Sequence, residues 1–124
     1  MKKACVLYSA LLVVLVAAAD RGALPLELVA RLPGGDKAGH FFLMGFLSLL
    51  VNLAFASRDG FAVVKRSCLI AVVVTLEELS QVALRHRNFD PADLAADFAG
   101  IAVFGLIAVL LLARGRRLRS SPAS

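Results

Sequence analysis

Apolar residues fall into four runs of about 16 to 20, which can be drawn at 4–19, 38–56, 67–84 and 94–112, close to the length that carries a helix across a hydrocarbon core. The pattern predicts an all-α chain, a polytopic membrane four-helix bundle with almost nothing outside the bilayer. Between the first two runs, Leu24, Leu26, Leu28, Val29 and Leu32 are interleaved with Asp20, Arg21, Glu27 and Arg31 before Pro33, Gly34 and Gly35. A short amphipathic segment lying at the outer interface is expected there. The first run also fits a second reading. Lys2 and Lys3 followed by an apolar stretch ending in Ala17, Ala18 and Ala19 suit a cleavable secretory signal, which would leave three helices.

Composition supports the membrane reading. Hydrophobic residues make up 60% of the 124 and charged residues 19%, with a mean hydropathy of +0.82, well outside the usual globular mixture. No linker-like stretch divides the chain, so residues 1–124 are read as one domain. The formal charge of +5 does not imply a nucleic-acid partner. Nine of the fourteen Lys and Arg residues lie at the N-terminus, around Arg58, Lys65 and Arg66, and in the tail that holds Arg114, Arg116, Arg117 and Arg119. By the positive-inside rule both termini are then cytoplasmic, and membrane lipid is the expected surrounding. Cys5 and Cys68 would sit near cytoplasmic helix ends as packing thiols, with no disulfide.

Against this background the ionisable residues near membrane depth stand out, since each costs about 2.5 to 3.5 kcal/mol on insertion scales. Asp36 and His40 are four apart, on one face at the outer mouth of the second run. Glu78, Gln81 and Arg85 share a face of the third. Arg87, Asp90 and Asp93 follow in the next turn, and Asp93, Asp97 and Gly100 share a face of the fourth. Lipid would expel these faces, so they are expected to turn toward one another or toward a wet pocket open to the outside. Glu77 points about a hundred degrees from Glu78 and is the weakest member. Asn52 is expected to bond a neighbouring helix, and Gly100 with Ala96 to serve close packing. Phe41, Phe42, Phe46 and Phe55 read as packing or lipid-facing residues.

These spaced residues resemble the VanZ-like family of small membrane proteins, named for a teicoplanin-resistance protein. The resemblance rests on Asp36, Lys37, His40 and Phe41, then Glu78 and Gln81, then Arg87, Phe89, Asp90 and Asp93, and finally Asp97 and Gly100, over about residues 36 to 105. The chain has Asp97 where the family commonly has Asn, and Gly105 comes one place later than the usual second glycine. The resemblance implies a multi-pass protein of the bacterial cytoplasmic (inner) membrane, linked in some members to glycopeptide tolerance, with no established mechanism.

Each group also has a plainer reading. Asp36 and Lys37 could cap and anchor a helix, Glu78 and Gln81 could fix helix packing, and Arg87 with Asp90 or Asp93 could clasp the outer turn. The leading functional reading is an outward-facing pocket formed by Asp36, Lys37, His40, Glu78, Gln81, Arg85, Arg87, Asp90, Asp93 and Asp97. It would bind an envelope component, such as an anionic or peptidic headgroup, a lipid-linked precursor or a glycopeptide. An acid/base enzyme using His40 and Glu78 is the alternative, although no nucleophile motif supports it. An ion path lacks partners in the inner half beyond Asn52, Thr75 and a few hydroxyls or thiols, and a purely structural assembly subunit remains open. One histidine in a helical chain is weak ground for a metal, so no metal or cofactor is expected.

Overall fold

The computed structural model describes residues 1–23, 28, 31, 34–56, 59–84 and 89–122. Among these the chain is all-helical, with no strand. It forms α1 (Lys2–Asp20), α2 (Gly35–Ala54), α3 (Gly60–Ser80) with a 3-10 turn at Gln81–Ala83, and α4 (Pro91–Ser120). Helices α1, α2 and α4 are long and apolar enough to cross a membrane. Half of the amphipathic segment expected at 20–35, including Leu24, Leu26, Val29 and Leu32, lies outside the described residues; Asp20 ends α1 and Gly35 opens α2.

The helices begin and end where capping chemistry sets them, which is not where apolarity stops. Asp59 accepts a hydrogen bond from the Phe61 N–H at 2.9 Å, starting α3 seven residues before the apolar run drawn from the sequence and taking Lys65 and Arg66 into the helix. Asp90 accepts from the Ala92 N–H at 2.9 Å and Pro91 occupies the first turn, so α4 starts ahead of the run. At its other end α4 continues through the basic tail. Arg117 and Arg119 lie in its last turn, where cations favour the helix dipole. Its 30 residues make a rod of about 45 Å at 1.5 Å per residue, longer than a hydrocarbon core.

Helices α2 and α4 form the central pair and run parallel, since Lys37, His40 and Ser48 meet Asp90, Asp97 and Ile101 in the same order; α3 packs antiparallel across both, and α1 lies against α2. The Tyr8 hydroxyl donates to the Leu43 carbonyl at 2.9 Å and ties α1 to α2. Gly100 allows α4 to approach the backbone of α2. A Cβ at Gly100 would run into the Phe41 carbonyl oxygen and stand 2.9 Å from its carbon. Gly45 in turn receives the Phe104 ring, which meets Phe41 and Phe42 edge-on.

Burial is inverted relative to a water-soluble domain. The largest fully buried side chains are Gln81, Glu78, Asn52, Asp97 and Ser48, whereas Leu7, Leu69, Val82 and Leu106 are at least 60% exposed. In water this distribution would leave much apolar area solvated. Against lipid it is the expected one. A small apolar core of Ile70, Val74 and Ile101, flanked by Met44, Leu47 and Val51, fills the middle of the α2, α3 and α4 group. Cys5 is buried and Cys68 exposed, both as free thiols.

Candidate functional site

The first turns of α2 and α4 and the last turn of α3 meet at one end of the molecule, and this meeting assembles the site. Helix α2 contributes Asp36 and Lys37 with His40 one turn further on, α3 contributes Glu77 and Glu78 with Gln81 in the 3-10 turn that follows it, and α4 contributes Asp93 and Asp97, with Asp90 as its cap. The faces expected from helical spacing, at intervals of three or four residues, therefore turn inward on all three helices among the described residues. Glu78, Gln81, Asp93 and Asp97 are buried, and His40 is partly so.

Two layers can be separated. In the inner layer, His40 Nδ1 lies 2.9 Å from Asp97 Oδ1 and His40 Nε2 lies 3.7 Å from Asp93 Oδ2. Glu78 is held by neutral donors, the Gln81 Nε2 at 3.2 Å and the Asp90 backbone N–H at 3.4 Å. The same Gln81 amide donates to Glu77 at 2.8 Å. In the outer layer, the Lys37 ammonium reaches Asp90 at 3.1 Å, Asp93 at 3.4 Å and Asp36 at 3.8 Å. Such contacts at a half-exposed lysine contribute little stability one by one, yet they join α2 to α4 at the rim. The Ala92 N–H, and after it Lys37, hold the Asp90 carboxyl below its ordinary value.

The arrangement is rich in acceptors. Among the described residues this end gathers Asp36, Glu77, Glu78, Asp90, Asp93 and Asp97 against Lys37 and His40. Two groups have donor atoms within 4.8 Å of one another, near enough to be drawn onto one metal ion: His40, Glu78 and Asp97, and Asp36, Asp90 and Asp93. An apolar groove of about 390 Å³ elsewhere, between α3 and α4, is lined by residues such as Val63, Ala71, Phe98 and Leu106 and does not touch this chemistry.

Of the ten residues expected at the site, the structure brings together Asp36, Lys37, His40, Glu78, Gln81, Asp90, Asp93 and Asp97. Arg85 and Arg87 lie outside the described residues. Sequence reasoning undervalued Glu77, whose signal was the i, i+4 spacing to Gln81. Lys37, expected to line a pocket for an anionic or peptidic headgroup, has its ammonium already surrounded by three carboxylates. A second polar cluster sits beyond the apolar core. Asn52 donates to the Ser48 carbonyl at 2.9 Å and to Ser67 at 3.4 Å, accepts from Arg66 at 3.3 Å, and lies beside Ser48, whose hydroxyl donates to the Ile101 carbonyl. Asn52 was expected to bond a neighbouring helix and does; Ser48, Ser67 and Arg66 were not singled out.

Compared with known proteins, the chain matches no family model, and no curated protein or solved structure is similar to it at a significant level.

Proposed function

We propose that the chain is a multi-pass protein of the bacterial cytoplasmic membrane, a four-helix bundle with both termini inside, and that its polar end binds a cell-envelope component at the outer leaflet. One observation carries the reading: His40, Glu78, Gln81, Asp93 and Asp97, drawn from three helices, converge at a single end of the molecule. The Lys and Arg distribution puts that end outside. The spacing of these residues is the basis for reading the protein as VanZ-like. With Lys37 engaged by carboxylates, the surplus of acceptors among the described residues suits a hydrogen-bond donor or an ammonium group better than a phosphate. A peptide amine of a lipid-linked precursor, or of a glycopeptide bound near it, has that chemistry.

The test is crosslinking in native membranes with a photoreactive lipid-linked peptide precursor, run beside teicoplanin susceptibility. His40→Gln and Asp93→Asn should lower crosslinking several-fold and shift susceptibility while protein abundance stays constant. Loss of abundance in parallel would leave only a structural clasp. Reporter fusions at Gly60 and at the C-terminus should report inside; an external Gly60 would overturn the orientation.

A second reading, an acid/base enzyme acting on a lipid-linked substrate, is favoured by the His40–Asp97 hydrogen bond, since a buried carboxylate that orients an imidazole is a recurrent catalytic pairing. The nearby Ser80 is a poor nucleophile, because its hydroxyl donates to the Glu77 carbonyl at 2.6 Å. Full activity in a Glu78→Gln variant would remove this reading.

A further inference from the structure

We infer that His40, Glu78 and Asp97 form a site for one divalent first-row transition-metal ion, with Asp93 supporting the imidazole from behind. The expectation of no metal rested on a single histidine viewed alone along the chain. In the folded molecule each of the three residues offers a donor atom within 4.8 Å of the other two, and the three come from α2, α3 and α4. Ligand pairs on one ion with bonds of about 2.1 Å stand about 3.0 to 3.4 Å apart when adjacent, in octahedral and tetrahedral geometry respectively. The 2.9 Å between His40 Nδ1 and Asp97 Oδ1 is close to the short end of that range.

Charge gives an independent reason. Glu78 and Asp97 are 0% and 1% exposed, and two ionised carboxylates at that depth need more counter-charge than the single one a protonated His40 beside Asp97 can give. Among the described residues Lys37 does not supply the rest, because its ammonium is bound to Asp36, Asp90 and Asp93 in the outer layer. The hydrogen-bond donors on Glu78 are an amide side chain and a backbone N–H, both neutral. The dipole of α4 helps Asp93 in the first turn, but Asp97 lies a full turn deeper, where that field has fallen off. A divalent ion neutralises both carboxylates at once.

The surroundings have the form of a supporting shell. With Nδ1 directed at the ion, the Nε2 side of His40 faces Asp93 at 3.7 Å, the carboxylate–histidine–metal arrangement that fixes ring orientation. Gln81 and the Asp90 N–H hold the Glu78 carboxylate in place. One imidazole with two carboxylates, and neither cysteine among them, suits Zn²⁺ or Mn²⁺ better than Cu⁺, and the nitrogen donor disfavours Ca²⁺ and Mg²⁺. The other acidic trio, Asp36, Asp90 and Asp93, is more exposed and already joined by Lys37, so it serves as the entrance. Three protein ligands leave an open position on the ion. Only in the step that places an envelope component at that position does the inference rest on the proposed function.

The experiment uses the untagged full-length chain in lipid nanodiscs, stripped with a chelator and titrated with ZnCl₂ alone and then MnCl₂ alone. Calorimetry and elemental analysis should find about one ion per chain. Glu78→Gln and Asp97→Asn should each weaken binding by about tenfold or more, and Asp36→Asn by far less. Circular dichroism checks that each variant is folded. Should either fail to fold, X-ray absorption of the zinc-loaded wild-type protein decides, with a nitrogen/oxygen shell that includes one imidazole as the expected result. Absence of stoichiometric uptake by the folded wild-type chain overturns the inference. So does uptake that folded Glu78→Gln and Asp97→Asn leave unchanged, or a shell without imidazole. Precursor crosslinking that persists without any zinc uptake removes the ion site alone; zinc uptake without crosslinking removes the envelope reading alone.

Discussion

At the scale of single residues, Asp90 has the widest reach. Its carboxylate caps α4 through Ala92 and pairs with Lys37, while its backbone N–H supports Glu78. Because its pKa is lowered in the folded protein, its charged form stabilises the fold at pH above the unfolded carboxylate value. That contribution is lost as pH falls through the lower folded value. Thermal unfolding followed by circular dichroism should therefore show a midpoint that drops below about pH 4. Asp90→Asn retains a capping oxygen but no charge, and should flatten the drop. An unchanged pH profile in that variant would mean the charge contributes nothing. The inward faces of His40, Glu78, Asp93 and Asp97 were legible in the sequence, because helical spacing and the cost of exposing charge to lipid both act locally. The partners of Lys37 were not. Its contact with Asp90 spans 53 residues of chain, and no local pattern chooses between an acidic neighbour and an anionic ligand.

At the scale of helices, the α2 and α4 contact depends on a missing side chain. Gly100 faces the Phe41 backbone and a methyl group there meets main-chain atoms, which cannot move aside as a flexible side chain would. Gly100→Ala should lower stability by about 1 to 3 kcal/mol and loosen the His40–Asp97 contact one turn away. Gly39→Ala is the matched control, since nothing lies within 4 Å of the added carbon. Chemical unfolding in detergent compares the two, and equal midpoints would mean that the helices separate freely at this point. The small-residue pairing at Ala96 and Gly100 had indicated close packing, and the structure adds which backbone it meets. Helix ends were less legible. The runs were drawn by apolarity, so Lys65, Arg66 and the arginine-rich tail were assigned to loops, whereas caps at Asp59 and Asp90 and the long α4 carry these residues into helices.

At the scale of the whole molecule, two polar layers are separated by an apolar one. His40, Glu78 and Asp97 lie at one end; Ser48, Asn52, Ser67 and Arg66 lie toward the other, with Met44, Leu47, Ile70, Val74 and Ile101 between. Along α2 the step from His40 to Ser48 is about 12 Å at 1.5 Å per residue, too long for one hydrogen bond or one bridging water. Thr75 lies near this level, but its hydroxyl donates to the Ala71 carbonyl within its own helix at 2.7 Å. Among the described residues no chain of donors and acceptors connects the layers, although intramembrane acids elsewhere mark proton paths. The sequence offered few polar partners for a relay beyond Asn52, Thr75 and a few hydroxyls or thiols; the structure shows packed apolar side chains between the two polar layers. Proteoliposomes containing the chain and a trapped pH dye should therefore pass protons no faster than empty vesicles under an imposed gradient. Flux that rises with protein content and falls in Asp97→Asn would mean that the apolar layer opens, and would make the acidic end the mouth of a conduction path.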